Sequence, residues 1–143
     1  MKTILILGAG KSSTYLIDYL GDTCGPERQL ILADLDLSNA QAKIQNKPFT
    51  SSVAINTSEE SQRKARIAQA DVVISMLPAF MHPIIAKDCL ELEKHFFTAS
   101  YESEELRKMS PEIEKKGLLF LNECGLDPGI DHMSAMKIID EAK

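Results

Sequence analysis

The most constraining feature of this sequence is a short apolar segment that stops at a glycine turn. Residues 3–7 are almost wholly apolar and are followed by Gly8 and Gly10. Such a segment is typical of a parallel strand that is covered on both faces. Helical periodicity follows over residues 12–20, where four apolar side chains share one helix face: Tyr15, Leu16, Tyr19 and Leu20. The pattern predicts a strand, a turn and a helix that ends at the glycines after it.

The glycine turn has the chemistry of a pyrophosphate cradle. Gly8 lets the backbone bend sharply off the strand, and Gly10 carries no Cβ that would keep a phosphate from the helix N-terminus. Free N–H groups and the helix dipole favour an anion there, which brings Lys11 and Ser12 into the predicted cofactor site. Ser13 takes the third position of the G-x-G-x-x-G pattern and is small enough for close packing of helix and strand. A turn with two glycines is also compatible with a purely structural role.

A second apolar strand, residues 29–33, ends at Asp34, roughly 20 positions beyond the glycine turn. A dinucleotide-binding fold places at this point the carboxylate that accepts hydrogen bonds from the adenosine ribose. Asp34 is therefore the predicted ribose ligand, although capping of the next helix, residues 37–45, would also account for an acid here. For Asp36 we favour the capping role.

Charge near the second strand favours NAD as the cofactor, with NADP as the alternative. The 2′-phosphate of NADP would lie between the carboxylates of Asp34 and Asp36, and no arginine is adjacent. Like charges repel, so NAD is expected to bind more tightly.

Strand and helix patterns alternate through the rest of the chain. Further strands are predicted at residues 51–55, 71–77, 95–99 and 118–121, and helices at 58–69, 83–92 and 103–116. The helix at 58–69 is polar and reads as a solvated outer helix. This alternation predicts one doubly wound α/β domain with a mostly parallel sheet.

Ligands of such sheets bind beyond the carboxyl ends of the strands, where the strand order reverses. Ser75, Leu77 and Pro78 end the strand at 71–77, and Ser100 follows the strand at 95–99. We expect these four residues to contact the cofactor opposite the glycine turn. His82 is assigned only to the start of the next helix.

Composition excludes several other classes of function. The net charge is −5 and the basic residues are scattered, so neither nucleic acid nor an anionic membrane is an expected partner. No apolar run approaches the roughly 20 residues of a membrane helix, and no signal peptide is evident, which leads us to expect a cytoplasmic protein. The cysteines and histidines are dispersed without zinc-binding spacing, so no metal is predicted.

The last segment is the most distinctive, because residues 122–132 read Asn-Glu-Cys-Gly-Leu-Asp-Pro-Gly-Ile-Asp-His. Pro128 and Gly129 are typical of a turn, and Asp131 is placed to cap the helix that follows. A turn explains less well why Glu123 and Asp127 also gather at the carboxyl end of a strand, where functional groups collect.

Three segments resemble the saccharopine dehydrogenase family: residues 71–82, residues 98–101 and residues 122–132. The last is similar to the version in the glutamate-forming members. The resemblance covers essentially the whole chain but only the Rossmann-type dinucleotide-binding domain of the family's enzymes. It implies a further domain after residue 143 that closes over the substrate, and a homodimer. The apolar side of the predicted terminal helix, which would normally dock on something, agrees with a missing domain.

The resemblance implies reversible oxidation of saccharopine, an amino-acid substrate, to glutamate and 2-aminoadipate 6-semialdehyde with a nicotinamide cofactor. Forming and hydrolysing the imine moves protons, for which Asp127 is the first candidate and Tyr101 the second. A Tyr101 that only orients substrate or packs is the alternative. Members that use a phosphorylated cofactor tend to carry an arginine near the end of the second strand, where this chain has Leu35. A lysine dehydrogenase, a carboxynorspermidine-type dehydrogenase and a non-catalytic NAD-binding module remain as alternatives.

Overall fold

A single parallel sheet organises the computed structural model, which describes residues 1–143. Its strands are β1 (Lys2–Leu7), β2 (Arg28–Asp34), β3 (Thr50–Ala54), β4 (Val72–Ser75), β5 (His95–Thr98) and β6 (Phe120–Leu121). They lie in the order β3-β2-β1-β4-β5-β6, and every neighbouring pair is parallel. The predicted doubly wound α/β fold is confirmed, and the sheet is parallel throughout.

Helices cover both faces of this sheet. They are α1 (Thr14–Asp22), α2 (Leu37–Lys43), α3 (Glu60–Ala68), α4 (His82–Glu91), α5 (Glu104–Lys115) and α6 (Ile130–Glu141), with single 3₁₀ turns at Lys11–Ser13 and Ala79–Met81. One core lies between the sheet and α1 with α2, and the other between the sheet and α3 to α5. None of the helices has the length and apolar character needed to cross a lipid bilayer.

The central strand β1 supplies both cores, as its continuous apolar sequence predicts. Leu5 and Leu7 belong to the core under α3 to α5, and Ile6 belongs to the core under α1 and α2. Successive side chains of a strand point to opposite faces, so only an uninterrupted apolar run can serve two cores.

The strand order reverses beside β1. The chain runs outward from β1 through β2 to β3, returns to β4 and then runs outward on the other side. The carboxyl ends of β1 and β4 lie side by side, with Leu7 in register with Ser75. Helices on opposite faces follow these two strands, which opens a crevice at this edge of the sheet.

The prediction for the first helix was right about the element and partly right about its buried face, since Leu16 and Leu20 pack against the core. Tyr15 and Tyr19 are 89% and 70% exposed, whereas Ile17 is fully buried. Gly21, expected to end the helix, lies inside it, where the aliphatic stem of Lys47 would lie only 2.6 Å from an added Cβ. The most closely packed face of the helix therefore carries Ile17 and Gly21, and the tyrosines lie outside it.

A buried ion pair joins the polar helix α3 to α4. Arg63 Nε donates to the carboxylate of Asp88, and their side chains are 7% and 5% exposed. Arg63 Nη1 also donates to the Thr57 carbonyl at 2.9 Å. The helix is thus anchored by a charge, and the expectation of a fully solvated α3 was wrong at Arg63.

Removing the arginine should therefore destabilise the fold strongly. In Arg63→Met the Asp88 carboxylate stays buried without a partner, and we expect the free energy of unfolding to fall by about 3–5 kcal/mol. Urea denaturation near neutral pH measures it. The control Lys64→Met loses only surface pairs with Glu60 and Glu91 and should cost less than about 1 kcal/mol. Equal losses in the two variants would contradict the assignment.

Candidate functional site

The glycine turn lies at the strand-order reversal and uses its two glycines differently. Gly8 has φ +105°, and a Cβ there would lie 2.9 Å from the Met76 carbonyl oxygen. Only glycine therefore lets the turn lie against the backbone after β4. Gly10 has φ −65°, and an added Cβ would meet no atom within 4 Å. Gly10 consequently faces open space that a ligand can occupy.

Backbone donors surround this open space. The N–H groups of Gly10, Lys11 and Ser12 make no turn or capping hydrogen bond, as is usual for the first donors of a helix. Lys11 and Ser12 are exposed, whereas Ser13 is buried and donates its hydroxyl to the Gly10 carbonyl at 2.8 Å. The free donors and the room above Gly10 fit a pyrophosphate group.

Asp34 connects the end of β2 to the glycine turn. Its Oδ2 accepts the N–H of Ala9 at 2.5 Å, and its Oδ1 accepts the N–H of Asp36 at 2.9 Å. Each oxygen of an ionised carboxylate retains a further acceptor position, so ribose hydroxyls can still be bound. Asp36 caps α2 through Ser38 and Asn39, as predicted. Asp34 thus holds the turn and keeps acceptor positions free at the end of β2.

Two residues of α2 that the sequence pattern did not single out brace the same turn. Asn39 Nδ2 donates to the Ala9 carbonyl at 2.8 Å, and Lys43 Nζ donates to the Gly10 carbonyl at 2.5 Å and to Thr14 Oγ1 at 2.8 Å. Residues that are four positions apart share a helix face. The spacing of Asn39 and Lys43 was therefore the one feature of the sequence that indicated a joint role.

The other half of the site is formed by the segments that follow β4, β5 and β6. They enclose a cleft of about 320 Å³ lined by Ala79, Ala99, Ser100, Tyr101, Asp127 and Pro128. The Tyr101 hydroxyl donates to Asp127 Oδ1 at 2.9 Å. The two candidate catalytic residues, far apart in sequence, are therefore hydrogen-bonded to each other beside one cleft.

Acidic groups surround the Tyr101 hydroxyl. The hydrogen bond to Asp127 raises the pKa of Tyr101 above its ordinary value of 10.0, and partial desolvation and the charges of Asp131 and Glu123 act in the same direction. The ring of His132 packs edge-on at a centroid distance of 6.4 Å. The phenol is protonated at neutral pH, as an ordinary tyrosine is, and donates its hydrogen bond to the Asp127 carboxylate.

The turn predicted around Pro128 is present, with one correction. Gly129 has φ +145°, and an added Cβ would lie 2.2 Å from the Gly125 carbonyl oxygen, so glycine is required there. Asp131 does not cap α6. It lies in the first turn of that helix, where its Oδ1 accepts the N–H of Gly129 at 2.9 Å. Capping by Asp131 requires a helix that begins after this residue, but α6 begins at Ile130, so that Asp131 lies inside the helix.

His82 begins α4 as predicted, but its buried ring also joins a hydroxyl network that sequence reasoning missed. Nδ1 lies 2.9 Å from Ser75 Oγ, and Nε2 lies 2.8 Å from Ser100 Oγ and 3.2 Å from Thr98 Oγ1. Burial lowers the pKa of His82 below its ordinary 6.5, which keeps the ring neutral near pH 7. The sequence feature that could have indicated this network is the presence of hydroxyl residues at the ends of two neighbouring strands.

The predicted cofactor contacts therefore differ in what they present to a ligand. Lys11, Ser12 and Pro78 are exposed, and Ser100 is partly exposed. The side chains of Ser13 and Ser75 are buried and bonded within the protein, and Leu77 packs against the core. Those three residues shape the crevice from within the protein. No group of three or more acidic, cysteine or histidine side chains is arranged to hold a metal ion.

A parallel sheet in this order, with a glycine turn at its reversal and a carboxylate ending β2, defines a Rossmann-type dinucleotide-binding domain. Residues 4–121 match the family model described as "Saccharopine dehydrogenase NADP binding domain". The chain belongs to this family, and its domain is of the type that binds a nicotinamide dinucleotide. The resemblance stated from the sequence is confirmed.

Relatives of known name agree with this assignment. The saccharopine dehydrogenase [NADP(+), L-glutamate-forming] of Saccharomyces cerevisiae is 38% identical over 141 residues, which cover 98% of this chain and 31% of the yeast protein. The alpha-aminoadipic semialdehyde synthase of Arabidopsis thaliana is 34% identical over 97% of this chain and 15% of its own length.

A solved structure gives the same result in three dimensions. Apo histidine-tagged saccharopine dehydrogenase (L-Glu forming) from Saccharomyces cerevisiae superimposes with a TM-score of 0.86 at 36% identity, covering 99% of this chain and 31% of the yeast chain. This chain therefore spans less than a third of the length of these relatives.

The two glycines should respond differently to alanine. Gly10→Ala fits the backbone, so the free energy of unfolding should stay unchanged or rise by up to about 1 kcal/mol, while the new methyl group blocks the pyrophosphate and weakens ADP-ribose binding at least about tenfold. Gly8→Ala should lower the free energy of unfolding by more than about 1 kcal/mol. Urea denaturation and calorimetric titration measure both effects. Undiminished ADP-ribose binding by Gly10→Ala would contradict the cradle.

Burial of His82 should make stability depend on pH. The unfolded chain protonates this ring near its ordinary pKa of 6.5, while the folded ring stays neutral to lower pH. Below about pH 6.5 the unfolded state therefore binds more protons than the folded state. The contribution of His82 to the free energy of unfolding is complete above this pH and decreases as the pH falls below it. Urea denaturation from about pH 7.5 to about pH 5.5 should show the stability advantage over His82→Gln shrinking. A constant advantage would contradict this expectation.

Proposed function

We propose that this chain is the cofactor-binding domain of an enzyme that reversibly oxidises saccharopine to glutamate and 2-aminoadipate 6-semialdehyde, a step of lysine metabolism. The observation that carries the proposal is the hydrogen bond between Tyr101 and Asp127 beside the cleft, in a chain of this family. The printed names of the yeast relatives, which are glutamate-forming saccharopine dehydrogenases, support the substrate. On this proposal, closure of the cleft over substrate falls to another part of the enzyme, because the chain spans 31% of the length of the yeast relative.

Binding and positioning fall to the glycine turn and Asp34. The free N–H groups of Gly10, Lys11 and Ser12 hold the pyrophosphate, and the Asp34 carboxylate holds the adenosine ribose. The opposite end of an extended dinucleotide then reaches the carboxyl ends of β4 and β5. When bound, the nicotinamide ring supplies the acceptor or donor of a hydride.

The proton steps fall to the pair at the cleft. The secondary amine of saccharopine is protonated at neutral pH and must lose a proton before its neighbouring carbon can give up a hydride. The Asp127 carboxylate is the acceptor for that proton, and Tyr101 orients the carboxylate by donating a hydrogen bond to it. The carboxylates of Glu123 and Asp131 next to the pair favour a cationic amine over a neutral one.

Substitution of Asp127 tests the assignment in the complete enzyme that contains this domain. Asp127→Asn keeps the shape and removes the proton acceptor, so turnover of saccharopine should fall by about 10²–10⁴-fold, while Tyr101→Phe should lower it less. Steady-state kinetics measures the turnover of each variant. Titration with ADP-ribose checks that each variant is folded. Glu104→Gln, an exposed first-turn acid of α5, is the matched control. Full turnover by Asp127→Asn would contradict the role proposed for this residue.

We further propose that NAD is the preferred cofactor, although the family description and the yeast relatives name NADP. Leu35 is 75% exposed and lies between two carboxylates at the end of β2. Hydrogen bonds from Ser38 and Asn39 lower the pKa of Asp36 below its ordinary value, and the acid is negatively charged at neutral pH. A 2′-phosphate would meet negative charge on both sides, whereas ribose hydroxyls suit Asp34.

Calorimetric titration with NADH and NADPH tests the cofactor proposal. NADH should bind more tightly, and Asp34→Ala should weaken it by roughly 10- to 100-fold, because hydrogen bonds to a charged acceptor contribute about 1.5–3 kcal/mol. Leu35→Arg should strengthen the binding of NADPH, and damage to the glycine turn cannot produce this outcome. Asp140→Ala on α6 is the control. Tight NADPH binding that Asp34→Ala leaves unchanged would overturn the preference.

A further inference from the structure

We propose that His82 is a positioning residue that fixes the loop of Ser100 and Tyr101, and through it the Tyr101–Asp127 pair, at the end of the cleft. The inference rests on the proposed function, because it is that function which makes the pair matter. His82 lies behind the pair in the body of the domain, and it acts through the residues that it holds.

The first support is the place of the ring at the end of the sheet. Ser75 and Thr98 are register partners on β4 and β5, and both hydroxyls lie within hydrogen-bond distance of the His82 ring. His82 is 3% exposed, and its ring lies between the hydroxyls at the two strand ends. Burial and these hydroxyls hold the ring in one place, and Thr98 ends the strand that leads directly to Ser100.

The second support is that Ser100 is held from three sides. Its hydroxyl lies 2.8 Å from His82 Nε2, its N–H donates to Thr98 Oγ1 at 3.3 Å, and its carbonyl accepts the N–H of Glu123 at 3.0 Å. Tyr101 is the next residue in the chain, and Glu123 begins the loop that carries Asp127. Ser100 therefore connects the His82 ring to both partners of the pair.

The third support is the hydrogen-bond capacity of the ring. A neutral imidazole has one donor and one acceptor, and hydroxyl groups can take either role, so both nitrogens are satisfied whichever tautomer is present. No nitrogen remains for a reactant. His82 thus has the properties of a rigid link, and Ser100 is the point at which the link reaches the cleft.

Two serines on opposite sides of the ring provide a matched test. Ser100→Ala removes the hydrogen bond on the cleft side, and Ser75→Ala removes the one on the sheet side. At His82 itself, Gln can place its amide near the Nε2 position and reach Ser100, whereas the shorter Asn reaches only toward Ser75. If the ring acts through Ser100, then Ser100→Ala and His82→Asn should loosen the pair, while Ser75→Ala and His82→Gln should preserve it.

The pKa of Tyr101 reports on the pair without any need for turnover. The chain contains three tyrosines and no tryptophan, so NMR of ¹³C-labelled tyrosine rings resolves each titration, and Tyr101→Phe assigns the signal. The hydrogen bond to Asp127 is the main reason that this pKa is raised. A loosened pair should lower the pKa toward 10.0, its ordinary value, in Ser100→Ala and His82→Asn. Tyr15 and Tyr19 are exposed internal references that should not move.

The outcomes separate this inference from the proposed function. An unchanged Tyr101 pKa in Ser100→Ala, or equal shifts in Ser100→Ala and Ser75→Ala, would overturn the role of His82. Calorimetric titration of the unsubstituted chain with ADP-ribose, which lacks the nicotinamide, tests the cofactor-binding function separately. Failure of the unsubstituted chain to bind ADP-ribose would instead overturn the cofactor-binding function.

Discussion

The close approach of Gly8 to the Met76 carbonyl is the constraint on which the rest of the site depends. It allows the turn after β1 to lie against the backbone after β4 at the point where the strand order reverses. With the two strand ends this close, the free N–H groups of the glycine turn and the loops after β4 and β5 border one crevice. A side chain at Gly8 would separate the half that binds phosphate from the half that carries Tyr101 and Asp127.

The two halves of the crevice are held by different kinds of interaction. The phosphate half uses backbone donors, and Asp34, Asn39 and Lys43 hold the peptide groups of the turn in place. An anion can be bound there with little reorganisation. The other half uses side-chain hydrogen bonds around His82 and between Tyr101 and Asp127. Its electrostatics depend on a cluster of carboxylates that suits an amine.

Much of the fold could be predicted because it depends on local patterns. Apolar runs identified the strands, Asp36 and Ser103 mark helix starts through their own side chains, and the glycine turn and Asp34 stood at a recognisable separation. The buried face of α1 was predicted only in part, since packing buried Ile17 and Gly21 and left the tyrosines exposed. Arg63 was missed for a similar reason, because its partner Asp88 lies on another helix.

The sequence by itself determined the α/β class, the glycine turn, the acid at the end of β2 and the family, because each is written in residues close together in the chain. Tertiary structure alone decided that Tyr101 bonds to Asp127, that His82 links Ser75 to Ser100, and that Lys43 braces the glycine turn. These contacts join residues from different strand ends and helices. Local propensity carries no information about which distant partners parallel pairing brings together at one edge of a sheet.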